Sequence, residues 1–332
     1  MKILVTGGMG YIGSNTVVEL LKNNYEVVII DNLVNSNIEV LEKIKNITKK
    51  EVKFYEEDLR NKEKLTEIFQ REKIDSVIHF AGLKAVGESV AKPLLYYDNN
   101  LISTLVLLEV MKEENVKNIV FSSSATVYGD PKYLPIDENH PLSTTNPYGT
   151  TKLFIEQILE DVYKADNDMN IVILRYFNPV GSDKMHLLGE NPNGIPNNLV
   201  PYIVKVATKK LESLNVFGND YDTVDGSGVR DYIHVIDLAI GHVKAIEYMK
   251  NNKGILKVNL GTGKGNSVLE LIEKFERVNK VKISYKIVER RKGDIATCYA
   301  DTKKAKELLD FTTTYNIEDM LQDAYLAELN NK

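Results

Sequence analysis

The chain has 332 residues, and 42 Lys and Arg against 47 Asp and Glu give a formal net charge of −5 at pH 7. That balance supplies no broad positive field for nucleic acid or an anionic membrane, and no apolar run approaches the ~18–20 residues that span a bilayer. With 43% apolar and 27% charged residues the composition excludes disorder, and a single cysteine, Cys298, excludes an internal disulfide or a multi-cysteine zinc site. The opening Met-Lys-Ile-Leu-Val-Thr-Gly-Gly reaches a glycine turn too early for a signal-peptide core. The expectation is a soluble, reduced, cytoplasmic protein. At roughly 150 residues per domain, the length suits about two domains or one large α/β unit.

The first half alternates compact β-branched runs with helical stretches. Ile3–Val5, Val27–Ile30, Val77–Phe80, Ile119–Phe121 and Ile171–Leu174 read as strands buried on both faces. Helices are predicted from Tyr11 to about Asn23, Asn61 to about Arg71, Leu94 to about Glu114 and Tyr148 to about Ala165. This alternation predicts a Rossmann-like, doubly wound parallel α/β sheet. From Asn178 the chain turns loop-rich, and Lys257–Leu260 returns as a strand. Gly261–Ser267 reads as a strand-to-helix turn, Ser267-Val268-Leu269-Glu270 as a capping box, and the last ~30 residues as two polar-faced helices. The domain expectation is a dinucleotide-binding unit over 1–177 with 233–262 returning to it. A smaller C-terminal α/β unit for substrate would comprise 178–232 and 263–332.

Gly7, Gly10 and Gly13 follow the first strand and open the first helix. A side chain at the first two would block a tight turn and the approach of a pyrophosphate to backbone N–H groups. The third glycine lets the helix pack on the strand. Such a string alone also fits a plain turn, but here an acid, Asp31, closes the second strand. A carboxylate there accepts from both ribose hydroxyls and repels a 2′-phosphate, so NAD is favoured over NADP. Asp58, after a further strand, could meet the adenine edge or serve as a turn residue.

Ser122-Ser123-Ser124 follows the run Ile119–Phe121, and Tyr148 and Lys152 lie one turn apart on the next helix. A phenol near pKa 10 is a poor base at neutral pH. A lysine cation and a positive nicotinamide ring beside it would favour the phenolate, while Ser124 hydrogen-bonds the substrate oxygen. An isolated Tyr-x-x-x-Lys is usually a surface pair; following a dinucleotide fingerprint it reads as catalytic. His79, His140, His186, His234 and His242 show no ligand spacing, and no metal is expected.

These motifs, with His79–Ser89, Arg175-Tyr176-Phe177-Asn178-Pro179, Gly194–Leu199, Val216–Tyr221, Arg230–Val235 and Arg290–Asp294, resemble the extended short-chain dehydrogenase/reductases across essentially the whole chain. Within them, the chain is similar to the branch that inverts C4 of UDP-sugars. The resemblance implies NAD contacts at Tyr11, Ile12, Asp31, Asn32, Leu33, Val34, Asn35, Ser36, Asp58, Leu59, Phe80, Ala81, Gly82, Leu83, Lys84, Asn99, Lys152 and Phe177. It implies UDP-sugar contacts at Asn178, Asn198, Leu199, Asn215, Val216, Phe217, Arg230, Arg291 and Asp294. Arg230 and Arg291 would fork the pyrophosphate, and Phe217 would lie against the uracil. The implied reaction interconverts UDP-glucose and UDP-galactose through a bound 4-keto sugar, with Tyr148 exchanging the proton.

Cys298 stands where some relatives carry a tyrosine beside the sugar, so acceptance of N-acetylated UDP-sugars is a further expectation, set against Cys298 as a buried filler. The family's counterparts of the Leu94–Glu114 and Tyr148–Ala165 helices pair in a homodimer. Two rivals use the same fold. A nucleotide-sugar 4,6-dehydratase would need an Asp-Glu pair where this chain has Ala125-Thr126, and a non-catalytic NAD(H) sensor would not need Tyr148 or Lys152.

Overall fold

A computed structural model describes residues 1–192, 194–291 and 294–331. The N-terminal half runs β1 (Lys2–Thr6), α1 (Tyr11–Lys22), β2 (Glu26–Asp31), α2 (Val40–Thr48), β3 (Lys53–Glu56), α3 (Lys62–Glu72) and β4 (Ser76–His79). It continues through α4 (Val86–Ala91), α5 (Pro93–Tyr97), a π-helical turn at Asp98–Ile102 and α6 (Ser103–Glu113) into β5 (Asn118–Ser124). A 3₁₀ turn, Ala125–Tyr128, then precedes α7 (Pro147–Ala165) and β6 (Asn170–Tyr176).

The remainder comprises β7 (Asn178–Val180), α8 (Leu199–Ala207), β8 (Leu214–Phe217), β9 (Val229–His234), α9 (Val235–Asn251) and β10 (Gly254–Leu260). After these come β11 (Gly265–Ser267), α10 (Val268–Asn279), β12 (Tyr285–Val288), β13 (Thr297–Cys298), α11 (Lys303–Leu309) and α12 (Ile317–Asn330).

Seven parallel strands make the main sheet in the order β10-β6-β5-β4-β1-β2-β3. Strand periodicity explains why both of its faces are covered. Ile3, Val5 and Ile29 join one core with Val17 and Leu20 of α1 and Leu238 and Ile246 of α9. Their neighbours Leu4, Val28 and Ile30 point the other way, into a core with Phe69 of α3, Leu107 of α6 and Ile155 of α7. Each such side chain contributes about 1.5–3 kcal/mol of burial free energy. With its faces closed, the sheet leaves its C-terminal edge for chemistry, and strand order reverses between β1 and β4, the place where such sheets hold ligands.

A third core, including Ile203, Val216, Phe275 and Met320, joins α8, β8, α10 and α12. Small sheets of β11-β9-β13, with β7 beside β9, and of β12-β8 complete the structure.

Two expectations change in detail. The helix expected from Leu94 to Glu114 is α5, a π turn and α6. The widened turn lets Asn100 accept from Leu83 N at 2.8 Å and donate to Leu83 O and Thr151 Oγ1, both at 3.1 Å. Gly265–Ser267 is a short strand antiparallel to β9 rather than only a turn, because the segment lies against β9's open edge. The last ~30 residues hold two helices as predicted, α11 and α12, the latter burying Met320, Leu321 and Ala327 behind its polar face. The capping box at Ser267 and Glu270 forms as predicted.

Candidate active site

The glycine turn joins β1 to α1. Gly7 has φ +69°, and a Cβ there would lie 2.7 Å from Ala81 N; one on Gly13 would lie 2.3 Å from Gly7 O. The turn, the helix and the 80–84 segment are thereby packed at backbone contact. Gly10 caps α1 without a side chain, and the first helical turn carries no acid. An anion therefore finds amide donors and the positive end of the helix with no competing carboxylate on the helix itself, which fits a dinucleotide pyrophosphate.

Asp31 ends β2 beside this turn, accepting from Met9 N at 3.0 Å, Leu33 N at 3.0 Å and Ser36 Oγ at 2.8 Å. It therefore shapes the turn and places its carboxylate beside it. Asp58 accepts from Asn32 Nδ2 at 3.2 Å and from Arg60 Nη2 at 2.8 Å, and the Arg60 bond holds its pKa down to about 2. Val34, Asn35 and Lys84 are exposed around the same crevice. Leu59 is in the core, 5% exposed, so it can offer a ligand only backbone groups. Phe80 packs on His242, with ring centroids 4.6 Å apart, and Asn99 lies in the π turn.

The catalytic candidates meet where β5 and α7 converge. Asn146 caps α7, its side chain accepting Gly149 N at 2.9 Å, which fixes the turn carrying Tyr148. Lys152 is 6% exposed; its Nζ donates to Ser122 O at 2.8 Å and lies 5.9 Å from the Tyr148 ring centroid. Ser124, also buried, ends β5 and accepts Thr126 N at 3.2 Å.

Burial adds a cost to the protonation balance that the sequence-based expectation set out for Tyr148 and Lys152. Burial raises the Tyr148 phenol, with the neighbouring Ser124 hydroxyl acting in the opposite direction. Burial also lowers Lys152 to about 8, opposed by Glu156. The chain's own groups therefore leave the phenol above its usual range, and an added positive charge is needed to bring it down.

On the substrate side, β9 and the segment leading to β13 bring two arginines to one carboxylate. Arg291 Nε donates to Asp294 at 3.0 Å, while Arg230 Nη2 stands 3.6 Å from it. The Arg291 guanidinium lies 4.7 Å from the Phe217 ring centroid. Asn178 and Asn198 are exposed and Leu199 is half-buried. Asn215 Oδ1 is buried without a hydrogen-bond partner among the described residues, as suits an atom awaiting a ligand. Val216 is a core side chain, 1% exposed. Cys298 and Phe177 share a cluster with Val127 and Tyr128, and burial pushes the Cys298 thiol up to about 11. Lys292 and Gly293, quoted above within the Arg290–Asp294 motif, lie outside the described residues.

Sequence reasoning assigned no contact to Thr126, whose Oγ1 is buried without a hydrogen-bond partner among the described residues and which abuts Gly149 in the first turn of α7. Its place two residues after Ser124 was the available signal. It also missed Tyr176, whose hydroxyl pairs with Ser122.

A glycine-turn dinucleotide cradle, a Tyr-x-x-x-Lys helix and an arginine-lined second site define the extended short-chain dehydrogenase/reductases of nucleotide-sugar chemistry. The family model described as GDP-mannose 4,6 dehydratase matches residues 4–324. A UDP-glucose 4-epimerase of Haemophilus influenzae is 58% identical over 332 residues, covering 100% of this chain and 98% of the relative. The Bifidobacterium longum UDP-glucose 4-epimerase, solved in complex with NAD+ and UDP, is 55% identical with a TM-score of 0.97, covering 100% and 99%. A Stenotrophomonas maltophila counterpart with bound NAD and formylated UDP-arabinopyranose is 45% identical, with a TM-score of 0.98 and coverage of 100% and 98%. The chain belongs to the UDP-glucose 4-epimerase family.

If Asp31 grips the ribose, Asp31→Ala weakens NAD binding by more than about tenfold in a fluorescence titration while leaving UDP affinity unchanged. Unaltered NAD affinity would remove the assignment.

Proposed function

We infer that this chain is an NAD-dependent epimerase that interconverts UDP-glucose and UDP-galactose at the sugar's C4. The carrying observation is the convergence of Tyr148, Lys152 and Ser124 at the C-terminal end of β5, beside the glycine cradle, in a chain of this family. NAD, when bound, supplies a positive ring near the phenol and a carbon that takes up the C4 hydrogen with its electron pair and returns it, so the sugar passes through a 4-keto state.

Gly7, Gly10 and Gly13 admit the pyrophosphate, Asp31 holds the ribose, and Phe80 to Lys84 with Phe177 line the nicotinamide end. Tyr148 Oη takes the C4 hydroxyl proton and later gives it back. Lys152 stabilises the phenolate, and Ser124 Oγ hydrogen-bonds the oxygen at C4. Arg230 and Arg291 pair with the diphosphate, replacing part of their contact with Asp294, while Phe217 and Asn215 receive the uracil. Nucleotide held by charged forks and a sugar held by few contacts suit a ketone that must present both faces. Elimination to a 6-deoxy product would need an acid and a base beside the sugar, and Ala125 and Thr126 supply neither.

The division of labour we propose follows the sheets. Residues 1–177 and 233–262 build the NAD side, and 178–232 with 263–332 the UDP-sugar side. We further propose a homodimer. Exposed Leu94, Leu95, Ile102, Leu105 and Phe154 lie on α5, the π turn, α6 and α7, an apolar cost that a second copy of the same surface would relieve. We also propose a cytoplasmic location, which suits a chain whose single cysteine, Cys298, is buried and free.

With UDP-galactose deuterated at C4, the label is expected on C4 of UDP-glucose; its appearance in water or free coenzyme overturns the mechanism. Tyr148→Phe is expected to lower kcat by about 10²–10⁴ with UDP affinity intact. Cys298 is small, so we propose that the 2-acetamido group of N-acetylated UDP-sugars fits here. Cys298→Tyr should then abolish conversion of UDP-N-acetylgalactosamine and spare UDP-galactose, whereas parallel loss of both refutes the gate. For the dimer, Leu105→Glu combined with Phe154→Glu should halve the mass seen by sedimentation; an unchanged mass excludes this surface.

A further inference from the structure

The helix that carries Tyr148 and Lys152 brings a third ionisable side chain to the same wall. Tyr148, Lys152 and Glu156 recur every four residues along α7 and form one stripe facing β5 and β6. Glu156 and Arg175 of β6 are each 1% exposed. Arg175 donates from Nε to Glu156 Oε1 at 3.0 Å and from Nη2 to Oε2 at 2.5 Å. The Ser123 hydroxyl donates to Oε1 at 2.5 Å, and Arg175 Nη1 donates to Tyr128 Oη at 3.1 Å. Every partner of Glu156 is a donor, as suits a carboxylate rather than an acid or an amide. A buried ion pair is seldom a net stabiliser relative to apolar packing, so stability alone gives little reason for this one.

Lys152 lies one turn before it. Its hydrogen bond goes to a backbone carbonyl, Ser122 O, and its Nζ stands 4.9 Å from the Phe121 ring centroid. The titratable groups around Lys152 and Tyr148 are His79 of β4, Tyr96 of α5, Glu156 of α7, and Arg175 and Tyr176 of β6. Burial lowers His79 to about 3, and burial raises the phenols of Tyr96 and Tyr176. These three groups are therefore neutral at working pH, which leaves Glu156 as the anion of the set.

We propose that Glu156 is a positioning residue whose carboxylate, locked by Arg175 and Ser123, sustains the ammonium of Lys152 beside the catalytic phenol. This rests on the role given to Lys152 above. Burial already brings that amine to about 8, with Glu156 as the opposing influence. Without the anion the ammonium is lost at lower pH, and less of the enzyme carries the charge that stabilises a Tyr148 phenolate. Arg175 has a separate duty: it shares the carboxylate and fixes its direction, so that Glu156 stays on the wall rather than closing onto Lys152.

The test reads Lys152 directly. In protein labelled with [ε-¹³C]lysine, the Lys152 resonance, assigned by its absence in K152M, is expected to titrate about one pH unit lower in E156Q than in wild type. The alkaline limb of the epimerisation rate should move by the same amount. E156D retains the charge and should leave both midpoints at their wild-type positions, even if thermal stability falls. Should E156Q fail to fold, E156Q/R175Q removes the anion without leaving a bare guanidinium, and a shift in the same direction is expected. A Lys152 midpoint unmoved in the folded variant overturns the proposal and leaves Glu156 a structural residue. Absence of epimerisation by the wild type would count against the functional reading alone, because the titration does not depend on turnover.

Discussion

A buried ammonium held by a backbone carbonyl is the constraint around which this site is arranged. Desolvation disfavours the charge on Lys152, and burial likewise disfavours a phenolate at Tyr148. Each charged form is the other's best remedy, since a cation and an anion close together in low dielectric stabilise one another strongly. The protein therefore carries a latent acid–base pair, with Lys152 over the Phe121 ring and bonded to the Ser122 carbonyl, and Tyr148 beside Ser124. Closing the faces of a parallel sheet, which the alternating cores on either side of β1 and β2 require, is what directs this pair to the strand ends.

The second consequence concerns how the two ligands are gripped. Around the glycine turn the backbone itself approaches whatever binds, and the tolerances are those of direct atomic contact: a methyl group at Gly7 or Gly13 would already collide. On the arginine side the donors are long side chains that now pair with Asp294 and stack on Phe217, arrangements open to exchange. The proposed chemistry needs that asymmetry, because the cofactor must be retained through a cycle in which the sugar turns over. In the proposed function, backbone contact retains the dinucleotide, while side-chain forks grip the UDP moiety and leave the pyranose few contacts.

Much of this could be read before any coordinates were known. Strand-helix alternation, the glycine spacing, Asp31 and the pair Tyr148 and Lys152 are local signals, because buried parallel strands and i,i+4 helix neighbours leave marks in adjacent residues. What escaped depends on contacts distant in sequence. The π turn at Asp98–Ile102 is set by Asn100 reaching Leu83 and Thr151, and no local periodicity announces it. Short strands such as β7, β11 and β13 have two or three residues and exist because β9 offers them an edge. Thr126 was legible only as a position lacking a dehydratase's acid, and its burial without a partner among the described residues shows in the structure alone. Around Tyr148 the proximity of a cation was legible in the sequence, but the depth of burial that opposes a phenolate was not.

The family model carries the description of a dehydratase while the relatives named above are epimerases, and the site explains how both can hold. Oxidation at C4 acidifies C5, so any enzyme of this architecture that makes a 4-keto sugar stands one proton transfer from eliminating the 6-hydroxyl. Which outcome follows depends on what faces C5 and C6 while the ketone persists. In this chain the two positions after Ser124 hold a methyl group and the Thr126 hydroxyl, whose Oγ1 is buried against the first turn of α7. Neither abstracts a carbon-bound proton at neutral pH, since a threonine hydroxyl is far too weak a base without a partner to receive its own proton. The reaction is thus confined to inversion by withholding acid–base groups from the neighbouring carbons, as much as by supplying Tyr148 at C4.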